Sequence, residues 1–404
     1  MKQFLLLLSL LFLIGCSTVN TPPEERASSL SPSGSGEEAI PSACLPDPYP
    51  EPAPDDRQMV INAIFSAMTE EEKVGQLFFA RCPAKNGAAL AAEYHLGGYI
   101  LFGRDFKGAI GNWLTEEQFI KTVQSYQDAV SIPMLIGVDE EGGTVVRASR
   151  NPNLFDEPCK SPQWLDKHQS TEYDVFASDI WEKNNNLQRF GINVNFAPVC
   201  DVSTDPNSFI YDRTLGKNAA ATAEYVAAVI KGSNGAQIGI GTVMKHFPGY
   251  GDNADTHVGI AIDERPIETF RTSDFLPFQA GIEVSDGTTA VLVSHNTVLC
   301  MDSDRPASLS PAVYQILREE LDFDGPALTD DLAMEAIVLY AKSQKQSPAV
   351  LALAAGCDMV VTTDFQTQVA QVLSALESGT LSRERVDEAV RRVLGWKYDL
   401  GLLK

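Results

Sequence analysis

The chain has 404 residues, of which 44% are hydrophobic and 21% are charged. This composition provides enough apolar side chains for one large core or two smaller ones. Acidic residues outnumber basic residues by 54 to 31, which gives a formal net charge of −23. Because nucleic acid is itself negatively charged, we expect no nucleic-acid partner.

The N-terminus has the pattern of an export signal. Lys2 precedes an apolar run at residues 4–14, which is too short for a comfortable transmembrane helix. The run ends in Leu-Ile-Gly-Cys at 13–16, which resembles a bacterial lipobox, where the cysteine is acylated and becomes the mature N-terminus. We therefore predict residues 1–15 to be a lipoprotein signal peptide and Cys16 to anchor the protein to a membrane outside the cytoplasm. A plain secretory signal is the alternative.

Residues 16–56 are predicted to be a disordered tether. They are rich in Pro, Ser, Gly and Glu, and such a segment cannot bury enough apolar surface to fold. The tether would connect the lipid to a single folded domain at 57–404.

Six further cysteines permit disulfides in an exported protein, but they do not require them. Cys82, Cys200, Cys300 and Cys357 lie in or beside apolar runs, where a small buried thiol is an ordinary core residue. No C-x-x-C spacing occurs. We therefore predict no structural zinc.

The folded region opens with a helix signal and then alternates apolar runs with amphipathic segments. Thr69 and Glu72 have the spacing of a capping box. Several of the runs are continuously apolar, as strands covered by helices on both faces are. The predicted strands are 76–81, 97–102, 133–139, 192–199, 239–245, 289–295, 325–330 and 357–362. Eight of them predict an α/β fold, a single (β/α)₈ TIM barrel. A doubly wound open sheet is the alternative, but no G-x-G-x-x-G follows the first run.

The final helix is predicted from an N-cap at Ser382 and an apolar face formed by Val386, Val390, Val393 and Leu394. The chain ends a few residues later. We therefore expect no second domain.

Polar residues occur where five of the runs end, and the carboxyl ends of barrel strands share one face. A shared polar rim of this kind predicts an active-site pocket. The residues are Asp139, Glu140, Glu141 and Arg147 after the third run, Asp201, Asp212 and Arg213 after the fourth, Lys245 and His246 at the fifth, Ser294, His295 and Asn296 at the sixth, and Thr329, Asp330 and Asp331 at the seventh.

The fifth run leads into the segment K-H-F-P-G-Y-G-D-N-A-D-T-H at 245–257. Asp255 and His257 are two residues apart, so an extended backbone would place both side chains on one side. The carboxylate could then hold the imidazole and favour its protonated form.

This pattern, K-H-F-P-G-x-G-x4-D-T-H, closely resembles the signature of the β-N-acetylglucosaminidase branch of glycoside hydrolase family 3. Other segments of the chain are similar to blocks of that family, and together they cover nearly all of 57–404. They are 68–77, 136–143, 306–310, 325–335 and 355–359. The resemblance implies an Asp–His pair on a mobile loop that serves as the acid/base.

Adjacent Asp330 and Asp331 point to opposite sides of a strand, so only one can face the barrel mouth. The residues alone do not choose between them. The resemblance implies that Asp330 is the nucleophile. It also implies that a set of charged residues lines the sugar subsite: Asp139, Arg147, Arg213, Lys245 and His246.

Retaining glycosidases usually use a second carboxylate as the acid/base, and two-domain family members take it from their second domain. With no room for that domain, we expect His257 to fill the role and Asp255 to orient it, since an imidazole titrates near neutral pH. Two departures from the family, Thr144 where relatives often have Arg and Tyr250 where many have His, concern substrate preference.

We therefore predict an exo-acting, retaining β-N-acetylglucosaminidase that acts on muropeptides or chitin-type saccharides. It would be a lipid-anchored monomer without cofactor or metal. A β-glucosidase or β-xylosidase, a β-N-acetylglucosaminide phosphorylase, and a non-catalytic saccharide-binding lipoprotein are the alternatives.

Overall fold

The computed structural model describes residues 56–168, 174–234, 239–251 and 261–404, all within one compact unit. The predictions for Cys16, the tether up to residue 55, Asp255 and His257 fall outside these described residues.

Eight parallel strands form one sheet in the order β10-β1-β2-β3-β4-β5-β7-β9. A parallel bridge between Leu328 and Met359 joins the last strand to the first and closes the barrel. The strands are β1 Phe78–Arg81, β2 Gly98–Leu101, β3 Leu135–Val138, β4 Val194–Asn195, β5 Gly241–Phe247, β7 Thr289–Val293, β9 Ala327–Thr329 and β10 Val360–Thr362. Each overlaps one predicted run, so the predicted (β/α)₈ barrel is confirmed. A separate parallel pair consists of β6 Ile262–Asp263 and β8 Thr297–Val298.

Helices surround the sheet. They are α1 Asp56–Ala67, α2 Glu70–Gln76, α3 Gly87–Glu93, α4 Glu116–Gln127, α5 Pro162–Lys167, α6 Val175–Arg189, α7 Ala219–Asn234, α8 Ile267–Thr269, α9 Phe275–Glu283, α10 Pro311–Gln315, α11 Glu335–Gln344, α12 Pro348–Ala355, α13 Phe365–Glu377 and α14 Arg383–Asp399. Within the described ranges, no helix has the length and apolar character needed to cross a membrane.

Two helix starts have the side-chain caps that the sequence predicts. The Thr69 hydroxyl accepts from the Glu72 N–H (3.2 Å), and the Glu72 carboxylate accepts from the Thr69 N–H (2.9 Å). The Ser382 hydroxyl accepts from the Arg385 N–H at the start of α14. Both caps satisfy N–H groups that have no partner inside a helix.

The direction of side chains in the barrel follows from close contacts across its axis. Phe79 on β1 meets Phe196 edge-on at 5.1 Å. A Cβ atom at Gly137 would lie 2.8 Å from the Phe79 ring, so both residues face the axis. Since strand side chains alternate, Arg81 and Asp139, two positions further on, also point inward, at the carboxyl-terminal mouth.

The described cysteines are free thiols. Cys82, Cys200 and Cys357 are buried, as expected of core residues, and burial raises the pKa of Cys82 and of Cys357 to about 12. Cys300 does not fit the prediction of a buried core thiol. It is exposed, because β7 ends at Val293 and the chain has already left the barrel wall.

Lys397 on α14 is fully buried, and its Nζ donates to Gln76 Oε1 at 2.6 Å. Burial lowers its pKa from 10.5 to about 7, so the folded state binds fewer protons than the unfolded state between these values. Stability should therefore rise as the pH increases from 7 to 10.5. We expect Lys397→Met to remove this slope. The variant should be more stable at pH 7 by on the order of 2 kcal/mol, after the lost hydrogen bond is subtracted.

Thermal unfolding at pH 7 and pH 9.5 measures both effects. The control is Lys73→Met, which removes an ion pair between Lys73 and Asp387 near the surface and should leave the slope in place. A Lys397→Met protein that is less stable than wild type at pH 7 would contradict the prediction.

Candidate active site

Lys245 links two acids at the barrel mouth. It lies near the end of β5, and its side chain points inward because its neighbour Met244 packs outward against Gly281 of α9. Its Nζ lies 2.8 Å from Asp139 Oδ1 and 2.6 Å from Glu141 Oε1. The Lys245 side chain is only 4% exposed, so these carboxylates take the place of water around its ammonium group.

Arg213 reaches the same cluster from the loop after β4. It ends a short 3₁₀ helix that is held when Gln163 Nε2 donates to the Tyr211 carbonyl (2.8 Å). Its Nε and Nη2 donate to the two oxygens of Glu141 at 3.0 and 2.7 Å. This two-pronged contact fixes the plane of the guanidinium group.

His246 has a defined tautomer. Its Nε2 lies 3.1 Å from Arg213 Nη2, and a guanidinium group can only donate, so Nε2 must accept. The proton is therefore on Nδ1, which donates to Asp201 Oδ2 at 2.7 Å. Asp201 also accepts from the backbone N–H groups of His246 and Tyr250. In this arrangement the ring is a neutral imidazole whose single N–H proton is committed to Asp201.

Arg147 completes the cluster on the β3 side. Its Nη2 lies 3.7 Å from Asp139 Oδ2, and its guanidinium lies 5.7 Å from the centre of the Phe102 ring. The loop that carries it is ordered by Glu140, a fully buried carboxylate that accepts from the backbone N–H groups of residues 147–149.

Charges in this cluster nearly balance: Asp139, Glu141 and Asp201 face Lys245, Arg213 and Arg147. Burial would raise the pKa of Glu141, but Arg213 and Lys245 outweigh it and hold that pKa well below its usual value. Burial would lower the pKa of Lys245, but Asp139 and Glu141 raise it instead. Glu141 and Lys245 are therefore both charged at neutral pH.

The two adjacent aspartates after β9 have different surroundings. Asp331 Oδ1 accepts from the Ala333 N–H (2.9 Å), and its Oδ2 accepts from the Thr363 hydroxyl (3.1 Å). Asp331 is therefore occupied by the turn that follows it and by the loop after β10. Asp330 follows Thr329 directly. Its N–H donates to the Val293 carbonyl at the end of β7, and its Oδ1 accepts from the Asp331 N–H at 2.8 Å.

The structure thus joins all five predicted sugar-subsite residues in one network, and Asp330 lies on the same rim. Asp255 and His257 fall outside the described residues. Three mouth residues had no role assigned from the sequence: Asp201, Glu141 and Arg81. The signal for Arg81 was available, since it is the charged residue that ends the first run, as Asp139 follows the third.

The described residues contain no group of His, Cys, Asp or Glu side chains arranged to hold a metal ion. The network itself offers fixed charges and hydrogen-bond donors around a polar ligand.

Residues 69–395 match the model described as the glycosyl hydrolase family 3 N terminal domain. The chain belongs to glycosyl hydrolase family 3. The predicted family and the predicted glycoside hydrolase activity class are confirmed.

Family 3 relatives share much of the chain. A protein of Idiomarina loihiensis named Beta-hexosaminidase is 32% identical over 289 residues, which are 71% of this chain and 82% of that protein. Beta-hexosaminidase LpqI of Mycobacterium tuberculosis is 29% identical over 403 residues, covering 95% and 94%. The solved structure of a family 3 β-N-acetylglucosaminidase from Paenibacillus sp. str. FPU-7 superimposes with a TM-score of 0.73 at 29% identity, over 83% of this chain and 63% of that one.

Proposed function

We propose that this family 3 hydrolase removes terminal, non-reducing β-linked N-acetylglucosamine from cell-wall or chitin-type saccharides, with retention of configuration. The observation that carries the proposal is the charged network of Lys245, Asp139, Glu141, Arg213 and His246 at the mouth. Its carboxylates accept from sugar hydroxyls, and its cations donate to hydroxyl and N-acetyl oxygens. The relatives named β-hexosaminidase support the same sugar.

In the proposed mechanism, Asp330 attacks the anomeric carbon and forms a glycosyl-enzyme intermediate, which water then hydrolyses. The hydrogen bonds of Asp331 to Ala333 and Thr363 support the choice of Asp330, because they commit the second carboxylate to local structure. His257, oriented by Asp255, would protonate the leaving oxygen and then, as a neutral base, activate the water.

The substrate assignment is tested by hydrolysis of 4-nitrophenyl β-N-acetylglucosaminide beside the matching β-glucoside and β-xyloside. We expect a clear preference for the N-acetylated sugar and the same rate after chelation of divalent metals. The assay is repeated with and without phosphate, since a sugar 1-phosphate product would identify a phosphorylase. Equal or greater activity on the glucoside would refute the proposed sugar.

Loss of His257 should have an effect that depends on the leaving group. For His257→Ala we expect a severe loss with a disaccharide, whose departing alkoxide needs a proton, and a milder loss with a phenol of low pKa. Azide should restore turnover if hydrolysis of the intermediate limits the rate. Asp255→Ala should show the same pattern more weakly. Equal losses on good and poor leaving groups would rule out the acid/base role.

The anchor is the remaining part of the proposal: residues 1–15 act as a signal peptide and Cys16 takes the lipid, which places the enzyme on the outer side of a membrane. It rests on Leu-Ile-Gly-Cys at 13–16 and on the Pro/Ser/Gly/Glu-rich composition that follows. Cys16→Ser should move the protein out of the membrane fraction or block its processing, whereas Cys44→Ser should not. Unchanged fractionation and lipid labelling of Cys16→Ser would exclude the anchor.

A further inference from the structure

Two arginines share one aromatic ring at the barrel mouth. Arg81 ends β1, and its guanidinium lies 4.5 Å from the centre of the Phe102 ring, just after β2. Arg147, from the loop after β3, lies 5.7 Å from the same ring. Phe102 is half-buried, and cation–π contacts with such a ring hold guanidinium groups in a defined position.

Arg81 points into the mouth rather than toward the helices. It lies two residues after Phe79, whose ring faces the axis and contacts Phe196. Gly98, whose Cβ atom would lie 3.2 Å from Phe79, also faces inward, so Phe102, four positions further along, does too. The register pairs Arg81 with Ile100 and Leu101 with Val138, so Phe102 and Asp139 lie side by side, two residues nearer the mouth than the level of Arg81.

These arginines are short of acceptors. The Nε atoms of Arg81 and Arg147 are both buried, and neither has a hydrogen-bond partner among the described residues. Arg147 has a 3.7 Å contact with Asp139, whose Oδ1 is taken by Lys245 at 2.8 Å, and a 3.5 Å contact from its Nη1 to the Val146 carbonyl. Within the described ranges no carboxylate pairs with Arg81.

Asp105 lies near enough for Arg81 to act on its pKa, but its hydrogen bonds go to other groups. Its Oδ2 accepts from the Phe102 N–H at 2.8 Å, and its Oδ1 lies 3.4 Å from Arg104. Burial raises the pKa of Asp105, while the Phe102 N–H, Arg104 and Arg81 act in the opposite direction. Among the described residues Arg81 therefore keeps a guanidinium group at the mouth without an ion-pair partner, in a protein whose net charge is −23.

We propose that Arg81, with Arg147, forms an oxyanion subsite that binds a carboxylate or sulfate carried by the terminal sugar. The proposal rests on the proposed function and narrows its substrate to acidic N-acetylglucosamine derivatives. A guanidinium group offers paired N–H donors that match the two oxygens of such an anion, whereas neutral sugar hydroxyls leave the charge of Arg81 unpaired.

The test compares 4-nitrophenyl β-N-acetylglucosaminide with its 3-O-, 4-O- and 6-O-sulfates and with its 6-carboxylate. For the full-length wild-type enzyme we expect kcat/KM to be about tenfold higher on at least one acidic substrate than on the neutral one. Tenfold corresponds to 1.4 kcal/mol, the scale of one hydrogen bond to a charged group. The preferred substrate distinguishes a sulfated from a carboxylated sugar.

The decisive readout is the ratio of kcat/KM on the acidic substrate to that on the neutral substrate. Arg81→Gln should bring this ratio close to one. Lys85→Gln is the matched control, because it removes the same charge from an exposed site four residues away and should keep the ratio. A wild-type preference for the neutral substrate would overturn the proposal. So would a ratio that Arg81→Gln leaves unchanged, which is the result expected if Arg81 instead pairs with acids of residues 252–260.

A binding measurement separates this proposal from the proposed function. Calorimetry with free N-acetylglucosamine and with its 6-O-sulfate and 6-carboxylate forms needs no turnover. If wild type hydrolyses none of the aryl substrates but binds an acidic sugar more tightly, and Arg81→Gln loses that difference, the proposed function fails and the subsite stands. If hydrolysis occurs and neither binding nor kcat/KM favours an acidic sugar, the subsite fails and the function stands.

Discussion

Asp330→Asn is expected to remove nearly all turnover on every substrate, with a loss of roughly 10⁴- to 10⁶-fold in kcat. The amide has the shape of the carboxylate but cannot attack the anomeric carbon, so no leaving group compensates for the change. Because the Asp330 N–H still donates to the Val293 carbonyl, the fold should be retained. Steady-state rates on an activated aryl glycoside and on a disaccharide measure the effect.

Asp331→Asn is a matched control of unusual closeness, since the same chemical change is made one residue away. Asp331 accepts from the Ala333 N–H and the Thr363 hydroxyl, and an amide oxygen can keep only part of this pattern. We expect a loss of about 1 kcal/mol in the free energy of unfolding and a modest loss of activity. A glycosyl adduct trapped on Asp331, or equal losses in the two variants, would show that the nucleophile has been assigned to the wrong residue.

Lys245→Met is expected to lower the free energy of unfolding by about 3–5 kcal/mol. The substitution keeps the volume but removes the cation that lies 2.8 Å from the half-buried Asp139 and 2.6 Å from the buried Glu141. The subsite acids should then shift or take up a proton, with a loss of about hundredfold in kcat/KM, the size associated with a displacement of about 1 Å. Lys217→Met, which removes an ion pair with Asp166 near the surface, is the control and should change both quantities little.

The difference in the free energy of unfolding between wild type and Lys245→Met should depend on pH. Its direction follows from the signs of the pKa shifts of Glu141 and Lys245. Glu141 has a pKa lowered from 4.5, so its stabilisation is fully present above that value and is lost as the pH falls. Lys245 has a pKa raised from 10.5, so its stabilisation is fully present below that value and is lost as the pH rises. The stability gap between wild type and Lys245→Met should therefore be widest between pH 4.5 and 10.5 and should narrow in acid. A gap that widens as the pH falls below 4.5 would contradict the assignment of Glu141 as the partner of Lys245.

The strands were predictable because continuous apolar runs of this length, separated by amphipathic segments, suit strands that are buried on both faces. The fifth run shows the limit of that rule. It was predicted to end at 245, but β5 continues to Phe247. Lys245 and His246 reduce the apolar signal, yet both are buried, because acids from the loops after β3 and β4 compensate their polarity.

The same dependence on tertiary contacts explains which site residues the sequence could identify. Charged residues at strand ends identified the rim, and the family resemblance selected five of them. Glu140 and Glu141, however, are adjacent and chemically identical, and nothing in their order distinguishes them. In the fold Glu140 accepts the N–H groups of its own loop, whereas Glu141 pairs with Lys245 and Arg213.

The sequence by itself determined the barrel, the helix caps at Thr69 and Ser382 and the set of charged residues at the mouth, because these depend on local pattern and strand order. Only the tertiary structure decided which of these side chains contact one another. Asp331 is engaged by Thr363 from the neighbouring loop, and His246 is held neutral between Asp201 and Arg213. Arg81 joins Arg147 at Phe102 although they lie 66 residues apart in the chain. Such pairings bring together strands and loops that are distant in sequence, and burial then determines which charges must find a partner.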